Sequence, residues 1–360
     1  MSSHQTIGKG KHVLLTGGNG FVASHILKNL MEYGYQVTAT VRSEDKAEAV
    51  YTTHPDWKDH VKFEYVADIT KKNAFDHLFE KEPFDFILHT SSPVAFKVDD
   101  IVKDLVEPAI YGTIGIMESA HKLAGPTLKR IVLLGSAVSV LNTFEDKTKA
   151  GKPYTEDDWN PVTRQYAVEN NDVVSGYNVS KIEPEQAAWK FMEKKPTFDL
   201  VVINPDIITG PMIHPISGAK SVNETNRFAI YDFLDGTHPK IEDVRFPFYH
   251  FVDVRDVARA HVDALTNPSA SGKRILMISG LITPQLVVNT VRKAFPQLKD
   301  KVPEGTPEQI LPENNDPTGW DLSRSMKVLS EGSPSGKWEF IDLEKSLVDA
   351  VQCMIDVGIL

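Results

Sequence analysis

The chain has 360 residues, 41% of them hydrophobic, and carries 39 lysines and arginines against 49 aspartates and glutamates, a net charge of −10. That length and apolar content allow a large buried core, and the acidic balance, with no long basic block, argues against a nucleic-acid or membrane surface and for small-molecule partners. The single cysteine, Cys353, excludes an internal disulfide, the opening MSSHQTIGKGKH lacks the apolar core of a secretion signal, and no run approaches the ~18 apolar residues of a membrane span, so a reducing, cytoplasmic compartment is expected.

Six apolar runs read as strands: HVLLT at 12–16, YQVTATV at 35–41, VKFEYV at 61–66, FDFILHT at 84–90, RIVLLGS at 130–136 and FDLVVIN at 198–204. Helical stretches separate them, including 21–33, closed by Gly34, and a long one at 104–123. This alternation predicts an α/β fold, a doubly wound parallel sheet covered by helices on both faces. The first strand runs into TGGNGFVASHIL. There Gly17 permits a tight turn, Gly20 lets the backbone approach a pyrophosphate, and Ala23 allows close helix packing. The run Gly17, Gly18, Asn19, Gly20, Phe21 and Val22 is the candidate phosphate-binding turn, its anion resting on a helix N-terminus.

The second strand ends in TATVRSEDK. An acidic residue there would suit the ribose hydroxyls of NAD, whereas arginine suits the 2′-phosphate of NADP. Arg42 holds the place and Lys46 follows, which favours NADPH; Glu44 and Asp45 leave a solvated charge cluster as the alternative. The fifth strand closes in LLGSAVSV, where Ser136, with Ser139 as its rival, is placed to hold a carbonyl oxygen. In GYNVSK, Tyr177 and Lys181 stand four residues apart on one helical face. An ammonium beside the phenol, together with a positively charged nicotinamide, is expected to lower its pKa from about 10 and equip it for proton transfer.

After residue 204 turn-formers accumulate, in TGPMIHPISGAKS and again at 236–247, and regular alternation fades. A nucleotide-binding domain over 1–205, regained at about 246–280, is expected, with a smaller lobe from 206–245 and 281–360. FVDVRDVARAHVDAL reads as strand into helix, KRILMIS as another strand, and 283–294 and 342–357 as the C-terminal helices.

With these residues together, the chain resembles the extended short-chain dehydrogenase/reductases. It is most similar to the fungal NADPH-dependent methylglyoxal and aldehyde/ketone reductases, relatives of the plant dihydroflavonol reductases. TGGNGFVASHIL, VRSEDKAE, ADIT, LHTSSP, LLGSAV, YNVSK, INPDIITGP and FVDVRDVARAH carry the likeness over nearly the whole chain. The resemblance implies that Asp68 and Ile69 contact adenine and that Thr90, Ser91 and Ser92 line ribose and diphosphate. It also implies that Pro205, Ile207 and Ile208 flank the nicotinamide and that Lys181 holds its ribose as well. Phe96, Leu141 and Val174 would line the substrate pocket, with plain core packing as the alternative. Two departures stand out: Pro184, inside the helix after Lys181, is expected to bend it, and Gly135 replaces the serine or threonine of close relatives.

The expected activity is hydride transfer from NADPH to an aldehyde or ketone, with Tyr177 giving the proton and Ser136 orienting the oxygen. Two alternatives stay open, an NAD-dependent sugar-nucleotide epimerase or dehydratase of the same fold and a non-catalytic NADP-sensing protein. No metal is expected: the histidines form no H-E-x-x-H pattern and one cysteine makes no thiolate cluster. Monomer and homodimer are both compatible with the sequence.

Overall fold

The computed structural model describes residues 7–92, 98–244 and 249–360. Strands β1 (His12–Thr16), β2 (Gln36–Val41), β3 (Val61–Tyr65), β4 (Phe86–His89), β5 (Arg130–Leu134) and β6 (Asp199–Pro205) fall within a residue or two of the six predicted runs. Helices α1 (Phe21–Glu32), α2 (Glu44–Thr53), α3 (Asp76–Lys81), α4 (Glu107–Leu123), α5 (Arg164–Glu169) and α6 (Val173–Met192) connect them. The chain continues through β7 (Ile207–Thr209), α7 (Glu224–Ala229), β8 (His250–Asp253), α8 (Val254–Ala264), β9 (Arg274–Met277), β10 (Gly280–Leu281), α9 (Pro284–Ala294), α10 (Ser323–Gly332) and α11 (Leu343–Asp356).

Seven strands form one parallel sheet in the order β3-β2-β1-β4-β5-β6-β9. Its strands are apolar almost throughout because both faces are covered. Val13 and Leu15 of β1 pack in one cluster with α1 and α8, through Ile26, Leu27 and Val257. Leu14, between them, packs on the opposite face with Ile116 of α4, as do Ile87 and Ile131 of the neighbouring strands. This is the period-2 alternation of a strand, with each face meeting its own helical layer.

The order reverses between β1 and β4, and their carboxyl ends open a crevice at that switch point. Thr16 ties the two sides together: its Oγ1 accepts the Thr90 and Ser91 N–H groups at 3.1 Å each, and its carbonyl accepts the Thr90 hydroxyl at 2.6 Å.

The predicted strand 274–277 joins the large sheet beside β6, whereas the one at 250–253 pairs with β7 and β10 in a separate three-stranded sheet. Behind that small sheet lies its own cluster, built on Phe233, Phe251, Ile282, Val287, Leu347 and Val351. The long helix expected from 104 begins differently. Val102–Val106 is a π-helical turn that runs directly into α4 at Glu107, and Pro108, which lacks the N–H of a regular helical residue, follows at the junction. Helix α6 runs as one element through Pro184, and Tyr177 and Lys181 lie in the turns before it. Among the described residues no helix is long and apolar enough to cross a membrane.

Candidate active site

Gly17 turns the chain out of β1 at φ +75, and a Cβ there would lie 2.8 Å from Ser91 Oγ, so both conformation and space require glycine. The Gly20 N–H donates to the Gly17 carbonyl at 2.9 Å. Helix α1 then opens with no side-chain cap and no acidic residue in its first turn, leaving N–H groups and a positive dipole end for an anion.

In front of this turn lies a cavity of about 1000 Å³, whose walls include Gly17, Asn19, Gly20, Arg42, Lys46, Asp68, Ile69, Thr90, Ser91 and Ser92. Ten of the residues named from sequence thus converge on one space. Arg42 is exposed and makes no ion pair among the described residues, and Lys46 approaches only Asp45, at 3.7 Å. Gly18, Phe21 and Val22 do not line the cavity. The Gly18 N–H donates to the Thr40 carbonyl at 2.9 Å, Phe21 sets its ring edge-on to His25 and His214, and Val22 packs in the core.

Lys220, Glu224 and Arg227, none of them read from the sequence, close the cavity from the opposite side. They sit in and just before α7, brought over by the chain reversal after β7; the only local signal is two cations in GAKSVNETNR.

Ser136 caps the short helical turn after β5, its Oγ accepting the Val138 N–H at 3.3 Å, and is half-buried. Its rival Ser139 is wholly buried and donates to Glu185 and to the Ser136 carbonyl at 2.6 and 2.8 Å. The same network holds Asn204, whose Nδ2 donates to the Ser136 carbonyl at 3.2 Å and to Glu185 at 2.9 Å. It also explains Gly135: a Cβ there would lie 2.6 Å from Asn204 Nδ2 and 2.8 Å from Val202 Cγ1.

Asp172 caps α6 by accepting the Val174 and Ser175 N–H groups at 3.0 and 3.2 Å. Tyr177 and Lys181 then project together, the ammonium 5.3 Å from the phenol ring centroid and 3.5 Å from Ser92 Oγ, the outer limit of a hydrogen bond. The phenol is not acidified in the protein alone. Tyr177 retains 40% of its surface, but dense packing pushes it up to about 12, assisted by Glu224 and Asp206. Cleft water screens part of that effect, yet the direction is clear: burial and two carboxylates outweigh the ammonium, and the phenol is protonated at neutral pH. Burial pushes Lys181 down, with Glu224 opposing.

A smaller cavity of about 310 Å³ is lined by Leu141 and Val174, two of the candidate pocket residues, together with Asn178, Asp206, His250 and Trp320. Phe96 lies outside the described residues. Pro205 and Ile207 are buried and Ile208 half-buried in the segment crossing between the sheets. Glu224 lines the large cavity and Asp206 the small one, both raise the Tyr177 phenol, and Lys181 reaches Ser92 on the wall of the large cavity. A third cavity, lined by Trp159, Trp189 and Arg274, shares none of these residues.

The profile of the NAD dependent epimerase/dehydratase family matches residues 13–279. The chain is 36% identical over 355 residues to a ketoreductase of Aspergillus niger, covering 96% of this chain and 98% of the relative. It is 33% identical over 324 residues to the NADPH-dependent methylglyoxal reductase of Saccharomyces cerevisiae, covering 88% and 92%. Its fold superimposes on the crystal structure of yeast methylglyoxal/isovaleraldehyde reductase complexed with NADPH with a TM-score of 0.86 at 30% identity, covering 97% of this chain and 100% of that one.

Proposed function

From the premise that the chain belongs to the NAD dependent epimerase/dehydratase family, we propose that it is an NADPH-dependent carbonyl reductase whose proton donor is Tyr177. The observation that carries this reading is that the helix bearing Tyr177 and Lys181 reaches both spaces: the Lys181 ammonium lies 3.5 Å from Ser92 on the wall of the large cavity, and Val174 and Asn178 of the same helix line the smaller one.

The residues present fit NADPH. The uncapped start of α1 and the Gly17–Gly20 turn suit a diphosphate, Arg42 and Lys46 suit a 2′-phosphate, and the cavity volume of about 1000 Å³ suits a dinucleotide. Asp68 and Ile69 would face adenine, Thr90 to Ser92 the ribose and diphosphate, and Pro205, Ile207 and Ile208 the nicotinamide end. When bound, the dihydronicotinamide supplies a hydride.

The chain's own residues do the rest. The protonated Tyr177 phenol gives its proton to the carbonyl oxygen as the C–H bond forms and the C=O π pair moves onto oxygen. Ser136 Oγ donates to that oxygen and orients it. Lys181 stabilises the phenolate left behind. Acidification of the phenol thus belongs to the step in which it loses its proton. Leu141 and Val174 border the substrate. We place the reaction in the cytosol, in keeping with the lone thiol of Cys353, which is half-buried and donates to the Met212 carbonyl at 3.2 Å.

Incubation with NADPH and a panel of aldehydes and ketones, methylglyoxal and isovaleraldehyde included, is expected to consume NADPH in step with alcohol formed. Isomerisation of a sugar nucleotide with no net loss of dinucleotide would replace this reading with the epimerase one. Arg42→Ala is expected to raise KM for NADPH by about 10–100-fold, the worth of one or two charge-assisted hydrogen bonds. KM for NADH should change little. Equal changes for both coenzymes would contradict a 2′-phosphate role.

A further inference from the structure

We propose that the small cavity beside Tyr177 is a hydroxyl-accepting subsite, in which the Asp206 carboxyl receives a hydrogen bond from a hydroxyl carried by the carbonyl substrate. The inference rests on the carbonyl-reductase reading and narrows it to small hydroxyaldehydes and hydroxyketones.

The cavity is about 310 Å³, the lower end for a ligand pocket, which suits a substrate of a few carbons. Leu141 and Val174 give it an apolar side, and Asn142, Thr143, Glu145, Asn178 and Asp206 bring polar groups to its wall. Much of that polar lining is already engaged within the protein. The Tyr154 hydroxyl donates to Glu145 and accepts the Asn142 N–H at 3.0 Å, and the Thr143 hydroxyl donates to Asn160 Oδ1 at 2.9 Å.

Asp206 supplies an unmet acceptor. It is 9% exposed and lines the cavity, accepts the Ile207 N–H on Oδ1 at 2.9 Å, and its other oxygen meets no hydrogen-bond donor among the described residues. Deeply packed acceptors are almost always satisfied in folded proteins, so an unmet carboxyl oxygen on a cavity wall points to a ligand donor. Asn178, beside it on the wall, is already engaged through Nδ2 with Thr143 Oγ1 at 3.0 Å.

The location ties this acceptor to the chemistry. Asn178, beside it on the cavity wall, follows Tyr177 in the chain, and Asp206 lies close enough to act on the phenol's charge. Burial pushes the Asp206 carboxyl up to about 7, and in either protonation state it retains an oxygen that accepts. An apolar group in this space would leave that oxygen without a partner, which is how a site built for a hydroxyl rejects the analogue lacking one.

The test compares 4-hydroxy-2-butanone, 4-methoxy-2-butanone and 2-pentanone with NADPH. The first and third share size and shape, and the second can accept but not donate. The wild-type protein is expected to give kcat/KM at least about tenfold higher for the hydroxyketone than for either comparator. Asp206→Leu should collapse that ratio, and Asp206→Asn, which keeps an acceptor oxygen, should retain most of it; NADPH affinity checks that each variant is folded. A wild-type ratio near one, or a ratio that Asp206→Leu leaves intact, overturns the subsite while carbonyl reduction stands. If none of the three ketones nor the aldehydes of the panel consumes NADPH, the carbonyl-reductase reading falls and the subsite with it.

Discussion

Tyr177→Phe is expected to lower kcat for carbonyl reduction by about 10²–10⁴-fold, the usual contribution of a positioned proton donor, while NADPH affinity holds. Phenylalanine keeps the ring that sits 5.3 Å from the Lys181 ammonium and removes only the hydroxyl. The loss should therefore appear in kcat rather than in coenzyme binding, since the proton is given up only in the transition state. The raised pKa of the phenol, about 12, sharpens the expectation. A phenol protonated through the physiological range is a competent acid in the reductive direction, and its conjugate base forms only as charge develops beside it. Stopped-flow single turnovers separate hydride transfer from product release. A variant that transfers hydride at the native rate would remove Tyr177 from the chemistry.

The second large effect concerns stability. Glu185 is 1% exposed and is ion-paired to Arg274 through Nε at 2.7 Å, while it accepts from Ser139, Asn204 and Trp189 at 2.6, 2.9 and 3.2 Å. Arg274 is itself almost buried and stacks on Trp159 at 3.9 Å, with two further donations to the Glu156 and Asp158 carbonyls. Glu185→Ala leaves the guanidinium without its counter-charge and the Trp189 Nε1–H without its acceptor, and reduces Ser139 and Asn204 to their bonds with the Ser136 carbonyl and each other. Removal of one partner from such a pair costs about 3–5 kcal/mol. A drop in Tm of about 5 °C or more should follow for a chain of this size. Because Asn204 and Ser139 both bond the Ser136 carbonyl, the variant should also loosen the serine and raise KM for the carbonyl. Glu185→Gln keeps the acceptor oxygen and should lose less. A Tm unchanged in Glu185→Ala would contradict the role assigned to this network.

What the sequence made legible is what local pattern encodes. The six parallel strands announce themselves because Val13, Leu14 and Leu15 are all apolar, and strands buried on both faces have to be. The phosphate turn is legible because Gly17 is fixed by its own backbone angle and by Ser91 across the crevice. Arg42 is readable because a strand end has a defined place relative to that turn.

The remainder depends on contacts between distant segments. Lys220, Glu224 and Arg227 reach the cavity only after the chain doubles back from β7, so no spacing reveals them. Asp206 lay inside a run assigned to the nicotinamide, and its surroundings are visible only once Asn178 and Trp320 close around it. The choice between Ser136 and Ser139 needed the buried Glu185, forty-six residues along the chain from Ser139, to show which hydroxyl was already engaged. The upward shift of the phenol in the protein alone is hidden for the same reason: Lys181 is visible in the sequence, and the burial and the carboxylates of Glu224 and Asp206 are not. Gly135, a departure in the sequence, is a steric requirement in the fold.

The most direct test is a crystal structure with NADPH and an unreactive carbonyl analogue bound. The Tyr177 hydroxyl and Ser136 Oγ should both lie within about 2.6–3.2 Å of the analogue's oxygen, with the nicotinamide ring alongside and Lys181 on its ribose. A nicotinamide ring seated away from Tyr177, or an analogue oxygen held by other groups, would contradict the account.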